Sequence, residues 1–189
     1  MNIVERVKNI LINPKKEWEV IDKETTEIPQ LITGYLLILA LIPALASLIG
    51  YWLVGAWTFS WGIRYAVIAF ISPVISVFIA AFVINALADS FGSQKDMRRA
   101  MQLVVYSYTA SLVAGIFYII PALSVLAFIA GLYSLYILYI GIQPMMKTPQ
   151  EKVTTYFVVS LLVMIAVGII VGVLLTSIII GRGMTGMAF

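Results

Sequence analysis

Four stretches of this 189-residue chain contain no Asp, Glu, Lys or Arg: 36 residues between Glu27 and Arg64, 24 between Arg64 and Asp89, 47 between Arg99 and Lys147, and 29 between Lys152 and Arg182. A soluble fold cannot leave such lengths of surface without charge, whereas a helix crossing hydrocarbon needs about 20 apolar residues in a row. Composition agrees, with 62% apolar and 11% charged residues, where a soluble domain carries about 25% charge. Lipid is therefore the expected solvent. The 24- and 29-residue runs hold one span each. The 36-residue run holds Leu31–Val54 and then a wetter segment, Gly55–Gly62, with Trp57, Thr58, Ser60 and Trp61. The 47-residue run has room for two spans, and Pro121 stands near its middle, where a missing N–H is harmless only at a helix start.

The expected fold class is all-α: a polytopic membrane protein with five transmembrane helices at 31–54, 65–88, 100–119, 121–143 and 153–180. An N-terminal arm, 1–30, precedes the spans, and a flexible glycine-rich tail, 181–189, follows them. The first apolar run continues past Ala44-Leu45-Ala46 without a break, so no cleaved signal is expected. Ten basic residues fall on the side of the arm and of the loops after spans two and four; only Arg64 and Arg182 fall on the other. The positive-inside rule then places the N-terminus in the cytosol and the C-terminus across the cell membrane. The net charge of +3 suits anionic headgroups rather than nucleic acid.

Within the arm, Ile3, Val7, Ile10 and Leu11 recur at helical spacing, with Glu5, Arg6 and Lys8 elsewhere on the wheel. Asn13-Pro14 supplies a cap and first-turn pair for a second short helix, in which Trp18 and Ile21 share a face. An amphipathic segment with Trp18, Lys15 and Lys16 suits the membrane interface; the alternative is that it packs on the chain's own loops.

Chemistry inside the spans is sparse. Cys and His are absent, which removes thiolate, disulfide and imidazole chemistry and the usual transition-metal ligands. Every ionisable Asp, Glu, Lys and Arg can be placed in a loop or at a helix end, whereas proton relays and ion-coupled carriers bury such groups. Neither an enzyme nor a cofactor is expected. What the spans do hold is packing chemistry. Gly168 and Gly172 form a GxxxG that Thr176 extends, a face for another helix of this chain or of a second copy. Ala40, Ala44 and Ser47 make a weaker row. Pro43 and Pro73 each free a backbone carbonyl inside a span, and Ser72 is placed to rescue one. Tyr133, Tyr136, Tyr139 and Gln143 share about a third of the span-four wheel. Gln102, Tyr106 and Thr109 line one face of span three, and Asn85 stands near the end of span two. Such groups must find partners in lipid. They either hydrogen-bond between helices or line a polar crevice open to the cytosol.

Three stretches resemble the Yip1 family in its short prokaryotic form. They are Asn9–Trp18 with its Pro-x-x-x-Trp, Phe91-Gly92-Ser93 leading through Arg98-Arg99-Ala100 to Tyr106-Ser107, and the tyrosine-rich span four followed by Lys147–Lys152. The Asp-Leu-Tyr-Gly-Pro and Gly-Tyr-Gly motifs of eukaryotic relatives are absent, so the resemblance implies the five-span topology rather than their GTPase partners. Two functions are compatible with these features. One is a non-enzymatic membrane organiser or interaction scaffold, whose partners are lipids, other membrane proteins or further copies of itself. The other is a small channel or lipid/solute transporter using the tyrosine-lined face.

Overall fold

The computed structural model describes residues 2–53 and 59–185, with side chains at 59–61, 121 and 171–185 left aside. No strand occurs among the described residues, and five helical segments are long and apolar enough to cross a membrane. These are span one (Ile28–Leu53), span two (Gly62–Phe91), span three (Met97–Ile119), span four (Ser124–Met146) and span five (Gln150–Ile170). Two short helices, α1 (Ile3–Ile12) and α2 (Pro14–Ile21), make up most of the arm.

Local chemistry accounts for most boundaries. Asn2 caps α1, its side chain accepting from the Val4 N–H at 3.0 Å. Asn13 does not cap α2 with its side chain as expected. It joins the helices through its backbone, its N–H donating to the Asn9 carbonyl and its carbonyl accepting from Glu17. Span one opens with one turn of α-helix and a π-helical turn, Ile32–Leu36, before α3 (Leu37–Leu53). A π turn rotates the residues that follow it, and here Tyr35 and Leu36 are turned into the core. Span two is carried by α4 (Phe59–Leu87), which starts earlier than expected and takes in Ser60, Trp61 and Gly62; Trp57 and Thr58 lie outside the described residues.

Span three starts at Met97, because Asp96 accepts from the N–H groups of Arg98 and Arg99 at 2.9 and 3.2 Å. It breaks at Tyr108, resumes over Thr109–Ala114 and tightens into a 3-10 segment, Gly115–Ile119. After the Pro121–Leu123 turn, α5 (Ser124–Met146) runs three residues past the expected end. The last helix, α6 (Val153–Thr185), extends five residues beyond 180, so the start of the expected tail is helical and the rest lies outside the described residues.

Span three is the central helix, and every residue from Ala100 to Ser107 is buried. Spans one, two, four and five present apolar rows outward, such as Ile38, Leu41 and Leu45 on span one or Leu162, Ile165 and Ile169 on span five. That is the pattern of helices solvated by lipid. Gly168, the first glycine of the expected packing face, meets none of the described residues: a Cβ there would have no neighbour among them within 4 Å. Gly172 and Thr176 lie beyond the described side chains.

Candidate functional site

The Trp18 face of the arm is turned into the bundle. Trp18 is buried to 2% exposure and inserts between spans three and four. A buried indole N–H needs an acceptor, and Trp18 Nε1 donates to the Ile137 carbonyl at 3.1 Å. A mid-helix carbonyl keeps a second lone pair for such a donor. The space comes from Gly141, one turn further along α5. A Cβ there would fall 2.6 Å from Trp18 Cε2 and from Leu103 Cδ1, so the ring rests on bare backbone. The interfacial reading of Trp18 is thus corrected: its ring packs on the chain's own helices because only they offer both a glycine socket and an acceptor. Lys15 and Lys16, on the other face of α2, stay exposed.

Arg6, read as part of the arm's solvated face, is fully buried. Its guanidinium donates to Glu17 Oε1 at 2.5 Å and to both carboxylate oxygens of Glu24 at 2.5 and 2.6 Å. It also lies 5.3 Å from the centroid of the Tyr106 ring, within the range of a cation–π contact. Desolvating a guanidinium is tolerable only with such pairing. The signal was available in the sequence: Arg6 precedes Ile10 by one helical turn, and Glu17 precedes Ile21 by one turn, so both charges fall on the buried stripes of their helices.

Around this triad the tyrosines divide. Tyr106 packs edge-on against Trp18 and Tyr35, with centroids 6.5 and 5.0 Å apart. Tyr35 shares a 2.8 Å hydrogen bond with Thr109 Oγ1; the π turn delivers it, which helical periodicity alone does not register. Tyr133 donates to the Leu11 carbonyl at 2.9 Å and stacks on Tyr136, which is half-exposed. Tyr139 turns instead to span five, with Thr154 Oγ1 at 3.1 Å and the Phe157 ring edge-on. Gln143 is exposed. Asn85 Oδ1 and both polar atoms of Gln102 are buried without a hydrogen-bond partner. The structure therefore brings Tyr106 and Tyr133 together around the arm, and sends Tyr139 elsewhere. It joins Asn85, Gln102 and Gln143 to none of the tyrosines by a hydrogen bond.

A ring of polar contacts closes the arm side of the bundle. Asp22, at the end of α2, receives Arg99 Nη1 at 2.6 Å and Lys147 Nζ at 2.7 Å. Burial alone would raise this carboxyl, but hydrogen bonds and charge from Lys147 and Arg99 outweigh it and hold Asp22 below the ordinary carboxylate range. The loop before span three is tied to the one after span four: Gln94 N–H donates to the Met146 carbonyl at 2.7 Å, and the Ser93 and Thr148 hydroxyls meet at 2.8 Å. Tyr156 donates to the Ile84 carbonyl and stacks on Phe91, linking spans five and two.

The arm thus covers Tyr106 and Tyr133 and leaves Tyr139 and Gln143 outside that contact. The residues that seat and tie the arm, Trp18, Arg99 and Lys147, belong to the three stretches that carry the resemblance. No curated protein and no solved structure matches the chain. The family model of the Yip1 domain matches residues 8–181, from the middle of α1 through all five spans, and the chain belongs to that family.

Proposed function

We propose that this protein is a non-enzymatic organiser of the cell membrane, with its arm side in the cytosol and its C-terminus across the bilayer. One observation carries the reading: Tyr106 and Tyr133, two of the tyrosines along which a conduit would run, are covered by the arm, with Trp18 packed on Tyr106 and seated on Gly141 and Tyr133 bonded to Leu11. What remains outward is interaction surface. Exposed Lys15 and Lys16 on the arm suit anionic headgroups or acidic partner segments. The lipid-facing rows, and Gly168 with none of the described residues across it, suit helices of other membrane proteins or a second copy.

Reconstitution into liposomes tests this. Self-association, a change in vesicle shape, or cross-linking of arm positions to a membrane partner is expected, without solute flux. The absence of all three would end the proposal. So would solute or lipid flux that falls in Tyr136→Phe and Gln143→Leu, which would establish a transporter instead.

A further inference from the structure

A second crevice, of about 310 Å³, opens to the lipid between spans one, two and three and belongs to no part of the arm site. Its walls include Ser72, Ser76, Tyr108 and Tyr118, together with Ala69 and Pro73 of span two. We infer that this crevice binds a neutral lipid through a free hydroxyl group.

Several observations converge on that chemistry. Pro73 has no N–H, so the carbonyl of Ala69, one turn earlier, lacks its helical donor. Ser72 does not supply one: it is exposed and forms no hydrogen bond with any described residue, so the rescue expected of it is not made. In hydrocarbon an unmet polar group is costly, and here a carbonyl acceptor and a serine hydroxyl stand side by side in one crevice. A ligand hydroxyl can donate to the first and accept from the second. No charged side chain lines the walls. A phosphate headgroup would be desolvated there without a counter-ion, which selects a neutral lipid. Entry is lateral, because Ile68, which lines the crevice, is exposed on the lipid side of span two together with Ile71 and Ile75. Tyr118, 40% exposed, is placed to contact the lipid outside the cavity.

The test uses the full chain in nanodiscs with a diacylglycerol carrying a photoactivatable acyl chain. Labelling should map to spans two and three and be competed by unlabelled diacylglycerol. Triacylglycerol, which lacks the hydroxyl, and phosphatidic acid, which carries charge, should compete poorly. Ser72→Ala should weaken saturable labelling about five-fold, the scale of one lost hydrogen bond, and Ser72→Leu, which fills the opening, should abolish it. Both variants should melt as the parent does, since Ser72 bonds to none of the described residues. Equal competition by all three lipids would reduce the crevice to ordinary annular contact and overturn the inference. Non-saturable labelling, or labelling indifferent to both substitutions, would overturn it as well.

Discussion

The two ends of this bundle are held together by different forces. On the arm side, a buried Arg6–Glu17–Glu24 triad ties α1 to α2 and the segment after it, and the Trp18–Ile137 hydrogen bond and the Asp22–Arg99–Lys147 group join the arm to spans three and four. On the far side, backbones simply approach. Gly115 lies so close to Pro43 that a Cβ would fall 2.5 Å from the proline's own, and Gly50 abuts the carbonyls of Tyr118 and Ile119. The contrast follows from the solvent. Near water and headgroups, a charge can reach its partner at bearable desolvation cost and burying a tryptophan is favourable. Between spans one and three lipid adds no hydrophobic drive, and contact comes from small residues that let backbones approach and allow dispersion over a wide area.

Removing the arm's cation should separate the two ends most sharply. Arg6→Met leaves Glu17 buried and unpaired, and about 3–5 kcal/mol of stability should be lost. Because the chain has no cysteine, a single Ile21→Cys label, at a fully buried position of α2, reports arm release directly. Thiol reactivity should rise in Arg6→Met and fall back in Arg6→Met/Glu17→Met; equal reactivity in both would show that charge pairing does not hold the arm.

Glycine substitutions sharpen the comparison. Gly141→Val and Gly115→Val should each cost about 1–3 kcal/mol in denaturation by overpacking, but only the first should expose the arm label, because only Gly141 meets Trp18. Arm release in Gly115→Val would mean that the two ends are coupled through span three.

Single hydrogen bonds come next. Tyr133→Phe removes the bond to the Leu11 carbonyl and should cost about 0.5–1.5 kcal/mol, with faster hydrogen exchange confined to the arm. Ser134→Ala takes the acceptor from the Ser111 N–H and its hydroxyl partner; its effect on exchange should appear in span three and not in the arm.

The smallest effect concerns pH. Asp22 is held below the ordinary carboxylate range. Its contribution is therefore complete above about pH 4, the value of a free carboxylate, and is lost as pH falls through the lower folded value. Arm labelling rates, corrected for thiol ionisation with an exposed reference site, should be flat from neutral pH down to about 5 and rise only in stronger acid. A rise centred near neutrality would point to a different group.

The arm shows how far the sequence could be read. Its two helices, the apolar stripe through Ile10 and the shared face of Trp18 and Ile21 follow from spacing. Where that face docks does not, because a tryptophan satisfies the membrane interface and a glycine socket equally well on a helical wheel. Arg6 was legible as a member of the stripe, but a charge near the edge of an apolar face reads as solvated until its counter-ions are located in space. The tyrosines of span four share a sector of the wheel, and yet Tyr133 reaches the arm while Tyr139 reaches span five. A sector about a third of the wheel wide borders two neighbours at once.

The uncharged runs by themselves determined the helical class, the number of spans and their approximate limits, because the thickness of hydrocarbon leaves a chain few other options. Tertiary structure alone decided that the arm covers Tyr106 and Tyr133, that Gly141 receives Trp18 while Gly168 meets none of the described residues, and that Ser72 has no partner among them. Crossing a membrane depends on length and polarity, which are sums along the chain. Docking depends on which surfaces fit, and that is settled only when distant segments meet.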